Sequence, residues 1–338
     1  MQPLVRRSIA LLLMLVLVWL TWARTPVERL GLDPRLQFVA LPPLPQKQRA
    51  AYLGPFQLEG MWQLRTRNAL FYGYSALVPE RDGQLLAVND NGGVIRFAPP
   101  GQRPYASAPM EIRFSKGVRS KSARDSESVM HDPVTGAYWL GLEGSNQIVR
   151  LDRAFHETGR VAPAGMRGWG VNTGPEAMAR LPDGRFVAIR EITTSIWEDR
   201  RHEAFVFDGD PIEHPVGRRF EFDAPDNFSV VDMTVLPDGR ALILLRRLLW
   251  PLPMRFAGRI VIADTAQVQA GGVWRSLPVA SLASVLPVDN FEGITAVPQP
   301  DGRLTVWLIS DDNNMRTLQR TLLWKLSVDP RHLPWPRP

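Results

Sequence analysis

The sequence predicts an all-β fold of the radially repeated kind, a β-propeller, from a recurring phrase and the spacing of its copies. The phrase is a polar residue, a short apolar strand, a Pro/Asp/Gly turn and a second apolar strand. It reads Ser75 then ALVPERDGQLLAV, Glu127 then SVMHDPVTGAYWLGL, Glu176 then AMARLPDGRFVAI, Asp232 then MTVLPDGRALILL, and Glu292 then GITAVPQPDGRLTVWLI. Starts lie about 50 to 60 residues apart, the self-similarity expected of propeller blades. Five repeats are visible, which allows five or six blades. A propeller spreads its core between neighbouring blades, so 338 residues fit one domain.

Taken in order, Arg6 and Arg7 precede an apolar run from Ile9 to Leu20, followed by Thr21, Trp22 and Ala23. Residues 1–23 read as an export signal, with an uncleaved membrane anchor as the alternative. Residues 24–50 are Pro-rich and read as an extended linker, and the propeller is expected over 51–330. Gln57 to Leu64 alternates as a strand. Third strands are expected at 94–98, 147–152, 203–208, 259–264 and 321–328, and fourth strands at 110–114, 159–163, 218–222 and 273–278. The last repeat has no fourth strand of its own, so a strand from residues 36–66 is expected to pair with 320–328 and close the ring. Asp183-Gly184, Asp238-Gly239 and Asp301-Gly302 are hairpin turns in which Gly takes φ > 0, and carry no chemistry.

The first strand of each blade lines the central channel, so the repeated polar residue should converge there. Counting forward from each turn Gly gives a second set at the end of strand two. The rim is therefore expected to carry an inner ring of Ser75, Glu127, Glu176, Asp232 and Glu292, and an outer ring of Asp90, Glu143, Glu191, Arg246 and Asp311, with Arg190 and Arg247 beside it. Asp232 stands one residue closer to its turn than Glu176. Two carboxylates about 8 Å apart repel by roughly 2 kcal/mol at an effective dielectric of 20. A bound Ca²⁺, raised carboxyl pKa values or the three arginines must offset this. Ser310 to Asn314 (SDDNN) is the densest oxygen-ligand cluster, and Asn89-Asp90-Asn91 repeats the theme in the first blade.

Other chemistries are excluded. There is no cysteine, hence no disulfide, thiolate site or lipidated Cys anchor. The five histidines form no HExxH pair, and no GxSxG elbow, P-loop or dinucleotide glycine motif occurs. Net charge is +6, but the basic residues, nearly all Arg, are scattered through turns and strand ends. That argues against a nucleic-acid partner.

Asn290-Phe291-Glu292-Gly293-Ile294, then Leu308 to Asn313 (LISDDN) and Gln319 to Leu323 (QRTLL), together with Gly73 to Leu77 (GYSAL), Asn89-Asp90 and Gly174-Pro175-Glu176-Ala177, resemble the phytase-like family known as esterase-like activity of phytase. The resemblance covers roughly residues 55–328. It implies an exported propeller, distantly similar to calcium-dependent phytases. The chain departs from those phytases in having no Lys/Arg-rich substrate rim beyond Arg190, Arg246 and Arg247, which argues against phytate itself.

Two readings stay open. In one, a periplasmic or secreted monomer, attached to the inner membrane only if its N-terminus is uncleaved, hydrolyses a small phosphate or other ester. Glu127, Glu176, Glu292 and Arg246 are then the catalytic candidates, and Asp90, Asp311, Asp312 and Glu292 the Ca²⁺ ligands. In the other, a non-catalytic rim binds an envelope ligand or protein.

Overall fold

The computed structural model of the protein describes residues 3–22, 35–68, 71–102, 108–115, 120–195, 198–251, 254–315 and 318–336. The chain opens with helix α1 (Pro3–Trp22), strand β1 (Leu36–Ala40), the short helix α2 (Gln46–Tyr52) and strand β2 (Gln57–Thr66). Blade 1 follows as β3 (Tyr74–Pro79), β4 (Leu85–Asn89), β5 (Gly93–Phe97) and β6 (Ala108–Glu111). Blade 2 is β7 (Ser126–His131), β8 (Tyr138–Leu142), β9 (Gln147–Leu151) and β10 (Glu157–Val161). Blade 3 is β11 (Pro175–Arg180), β12 (Phe186–Ser195), β13 (Glu198–Phe207) and β14 (Arg218–Asp223). Blade 4 is β15 (Ser229–Val235), β16 (Arg240–Pro251), β17 (Met254–Asp264) and β18 (Val273–Leu282), and the last blade contributes β19 (Asn290–Pro298), β20 (Leu304–Asp311) and β21 (Leu322–Val328). Each blade is an antiparallel meander, so five blades are present among the described residues.

The ring closes as the missing outer strand led us to expect. β2 pairs antiparallel with β21, from Gln57 opposite Ser327 to Gln63 opposite Leu322, and becomes the fourth strand of blade 5. A second N-terminal strand lies outside it: β1 pairs with β2, Leu36 opposite Thr66. The expectation of an extended linker over 24–50 is thus corrected for its second half. The LQFVA run covers the edge of β2, and Leu44, Leu53 and Phe56 are buried in the core between blades 4 and 5. The first half of that linker, and the end of the leader at Ala23, lie outside the described residues. Helix α1 carries its apolar side chains exposed, Leu11 through Trp19 among them. No helix among the described residues is long and apolar enough to cross a membrane.

Strand alternation builds one core per seam. In β16, Ala241, Ile243 and Leu245 pack against blade 3, while Leu242 and Leu244 pack against blade 5. The same division of odd and even positions produces five separate apolar clusters, one in each gap. The turn glycines 83, 136, 184, 239 and 302 all have positive φ, between 73° and 89°. That is the left-handed backbone the expected turns require of Gly.

Two departures shape the rim. The third strands of blades 3 and 4 begin earlier than the sequence indicated, because β12 and β16 run on for 10 and 12 residues where β4 and β8 have five. Their hairpins therefore extend beyond the rim. In addition, the outer strands β14 and β18 pair in parallel, Phe222 opposite Trp274, which joins blades 3 and 4 into one continuous sheet. A C-terminal strap holds blade 4 from below: Arg240 donates to the carbonyls of Pro330 (2.7 Å), Leu333 (2.6 Å) and Pro334 (3.1 Å) and lies over the Trp335 ring.

Because β2 completes blade 5, deletion of residues 36–66 is expected to abolish the cooperative thermal transition seen by circular dichroism. A truncated domain that melts at the parental temperature would show that the ring closes without it.

Candidate functional site at the channel mouth

Each inner strand starts with a bulge that leaves one residue without a cross-strand partner. Tyr74 is opposite Asn89 and Ala76 opposite Val88, so Ser75 has no cross-strand partner. The same skip isolates Glu127, Glu176 and Glu292. A bulge of this kind re-aims a side chain beside a functional site. In blade 4 the skipped residue is Val231, not Asp232. Val231 is buried in the core between blades 4 and 5. Asp232 is therefore removed from the inner ring. It is buried, and it accepts from Ile294 N (2.7 Å) and Met233 N (2.8 Å), tying blade 4 to blade 5. Burial pushes its carboxyl well above the ordinary range. The one-residue difference in its distance to the turn was the signal of this shift.

The outer set holds its register in all five blades. Arg246 lies opposite Ser229 and Asp311 opposite Asn290, and the backbone N–H groups of Asp90, Glu143 and Glu191 donate to Gly73, Asp125 and Gly174. These bonds expose a position that sequence reasoning missed, two residues before the bulge. There Asp125 and Asn290 bring further oxygens to the mouth. The spacing D-S-E at 125–127, matched by N-F-E at 290–292, could have revealed it.

Carboxylates crowd this mouth. Oxygens of Asp125, Glu127 and Glu143 lie within 4.8 Å of one another, and so do those of Glu143, Glu176 and Glu191, so that Glu143 belongs to both groups. At about 5 Å and an effective dielectric of 20, each like-charge pair costs about 3 kcal/mol. Burial first, and then Glu292 and Glu143, push the Glu127 carboxyl well above the ordinary range. Burial and the charges of Glu127 and Glu191 do the same to Glu176, and burial with Glu292 and Asp312 to Asp311. Glu143 is raised to about 7 by burial and by Glu191 and Asp125.

Among the described residues, Arg246 is the arginine hydrogen-bonded to these acids. Arg246 donates to Glu292 (2.5 Å), Asn290 (2.9 Å) and Glu191 (2.8 Å), bridging blades 3, 4 and 5. Burial works against its charge, but Glu292, Glu191 and Glu176 hold its proton more tightly than usual. Glu292, raised by burial, is correspondingly drawn back by Arg246. Arg190 donates instead to Thr173 Oγ1 (3.3 Å), and Arg247 lies over Phe228.

The structure thus brings Glu127, Glu176, Glu292 and Arg246 together. Asp90 and Asp311 sit close enough to Glu292 for all three to interact electrostatically. Asp312 is oriented otherwise: its carboxylate accepts from Gly73 N (3.3 Å), Asn314 N (3.0 Å) and Thr321 Oγ1 (3.2 Å), fastening blade 5 to blade 1. The sequence pointed to blades 5 and 1 for the densest oxygen cluster. The three-oxygen groups instead form in blades 2 and 3.

With fold and site in place, comparison with known proteins gives a family. The phytase-like family, described as esterase-like activity of phytase, matches residues 69–314. The chain belongs to it. No curated protein matches. Similar solved structures include a GH43 β-1,3-galactosidase at 11% identity (TM-score 0.49; 75% of this chain and 56% of that one), so the chain spans little more than half the length of that protein. An endo-arabinase from Bacteroides thetaiotaomicron is 10% identical (TM-score 0.48; 75% and 93%). An α-L-arabinofuranosidase from Podospora anserina is also 10% identical (TM-score 0.47; 88% and 98%).

The raised acids give a signed expectation. Folded Glu143 keeps a proton that the unfolded chain releases near 4.5, so its stabilisation is complete below that value and lost as pH rises to about 7. Glu127, Glu176 and Asp311 act in the same sense. In chelator, the melting temperature should therefore fall across this window, and a flat or rising profile would contradict the crowding described. Arg246→Met should cost about 3 kcal/mol at neutral pH in urea unfolding.

Proposed function

We propose that this protein is a divalent-cation-dependent hydrolase of phosphate or other esters, working at the carboxylate mouth of the channel. The supporting observation is the pair of three-oxygen groups sharing Glu143. An all-carboxylate donor set of this kind fits a hard cation such as Ca²⁺, which takes six to eight oxygen ligands. Asp125, Glu127, Glu143, Glu176 and Glu191 would hold it, with Asp90, Asp311 and Glu292 completing the charge around it. Such an ion supplies Lewis-acid stabilisation of charge developing on an ester oxygen.

The remaining roles belong to the chain itself. Arg246, fixed by three hydrogen bonds from two neighbouring blades, presents a preorganised positive charge toward the channel. Glu143 is one of the acids that would hold the cation, and its carboxyl, raised to about 7 by burial and by Glu191 and Asp125, would give up its proton on cation binding. The hairpins β12–β13 and β16–β17 wall one side of the mouth, and we take them to border the substrate. Export to the periplasm or medium is part of the same reading, supported by Arg6, Arg7 and the apolar helix behind them. The substrate is a small molecule, met by a monomer.

Calorimetric titration with calcium, followed by a screen of phosphomonoesters and carboxylic esters with and without chelator, tests this reading. Calcium should raise the melting temperature of the wild type, and Glu143→Gln should remove both that gain and the hydrolysis. If millimolar calcium adds no stability and no ester is cleaved, the rim is a metal-free acidic ring and the domain is a binding module.

A further inference from the structure

Beside the acidic mouth, at the seam between blades 3 and 4, the structure carries a second kind of site. Arg247 and Arg259 both lie over Phe228, each with its guanidinium carbon 5.1 Å from the ring centroid. The β-ladder explains why. Leu245 is opposite Arg259 and Arg247 is opposite Ala257, so the two arginines are diagonal neighbours on one face of the β16–β17 hairpin, the face that packs Leu245 against blade 3. Phe228, buried at the end of the loop leading into β15, fills the space between that face and blade 3.

Two cations share one ring here without a carboxylate. Neither Arg247 nor Arg259 makes an ion pair among the described residues, and the Nε of Arg247 is buried with no hydrogen-bond partner. Acids of blade 3 and of the loop before β15 are paired with other arginines. Asp226 and Asp223 pair with Arg200, and Glu191 with Arg246. The face of an aromatic ring attracts a guanidinium, but it accepts none of the five N–H donors each carries. Two half-buried guanidiniums on one strand face, donors unused, are arranged for an oxyanion bound in bidentate fashion.

We propose that Arg247, Arg259 and Phe228 form a calcium-independent oxyanion site, taking a phosphate or carboxylate group one residue away from Arg246 in sequence and on the opposite face of β16. This site stands apart from the carboxylate cluster and does not rest on the reading of that cluster as a cation centre. The ring fixes the two guanidiniums, and the anion supplies the negative charge that the surrounding protein withholds.

Calorimetric titration of the full chain with inorganic phosphate, and separately with acetate, both in excess chelator and at low salt, provides the test. Wild type should bind phosphate, and the affinity should fall at least tenfold in Arg247→Gln and in Arg259→Gln. Arg247→Lys, which keeps the charge and lets the fold be checked by its melting temperature, should lose affinity without loss of stability, because a lysine cannot make the bidentate contact. Binding of phosphate but not acetate assigns the site to phosphoryl groups, and binding of both to oxyanions in general. Glu143→Gln should leave this binding in place even if it removes the response to calcium, so the two sites fail separately. No phosphate binding by wild type in chelator, or binding unchanged in the Arg247→Gln, Arg259→Gln double variant, overturns the proposal.

Discussion

Closure of the ring is the constraint on which the rest depends. Each seam is filled by alternating residues of two neighbouring blades, so no blade can bury both of its faces alone, and β2 returns from the N-terminus to complete blade 5 and add Leu64 to the fifth seam. The backbone pairing of β2 with β21 holds blade 5 as a sheet, and the packing of Trp307, Ile309 and Leu323 against Leu77, Ala87 and Ile95 holds it to blade 1. A ring held this way fixes the distances among its inner strands. Carboxylates that would move apart on a looser scaffold stay in one another's field.

That rigidity accounts for the electrostatics of the mouth. Bulges at Glu127, Glu176 and Glu292 turn three acids toward one axis, and the ends of the second strands add Asp90, Glu143, Glu191 and Asp311. Hydrophobic packing below the rim supplies the free energy that holds these like charges together. Arg246 relieves part of the strain by bonding to both neighbouring blades, which makes it as much a fastener of the ring as a feature of the site. The parallel pairing of β14 with β18 stiffens the same pair of blades whose long hairpins rise beside the mouth.

Much of this was readable from particular residues. The Pro-Asp-Gly turns placed the hairpins, and counting from their glycines placed Arg246 and the outer acids in register. Asp232 was misplaced because its one-residue-shorter distance to the turn was outweighed by its charge; its cross-strand partner, Leu244, shows that Val231 took the bulge position. Asp125 was missed because it precedes the strand, so that only the match of D-S-E at 125–127 to N-F-E at 290–292, not strand alternation, marks it. The extension of β12 and β16 beyond the rim escaped notice because Arg, Thr and Ile-rich ribbon residues there have no core to alternate against. β1 lay hidden among prolines that read as linker.

By itself the sequence determined the repeat, the turn geometry, the polar set at the rim and the need for an outside strand to finish the last blade, because these follow from local backbone preference and from a period that survives in every copy. Tertiary structure decided which acids share a site, that Arg246 bonds to them from the blade between, that Asp312 bonds to the backbone of blade 1 rather than facing the mouth, and that Arg247 and Arg259 meet on one ring. Those outcomes depend on distances between blades some 50 residues apart in sequence. Such distances are set by seam packing and bulge register, and neither is written at any single position of the chain.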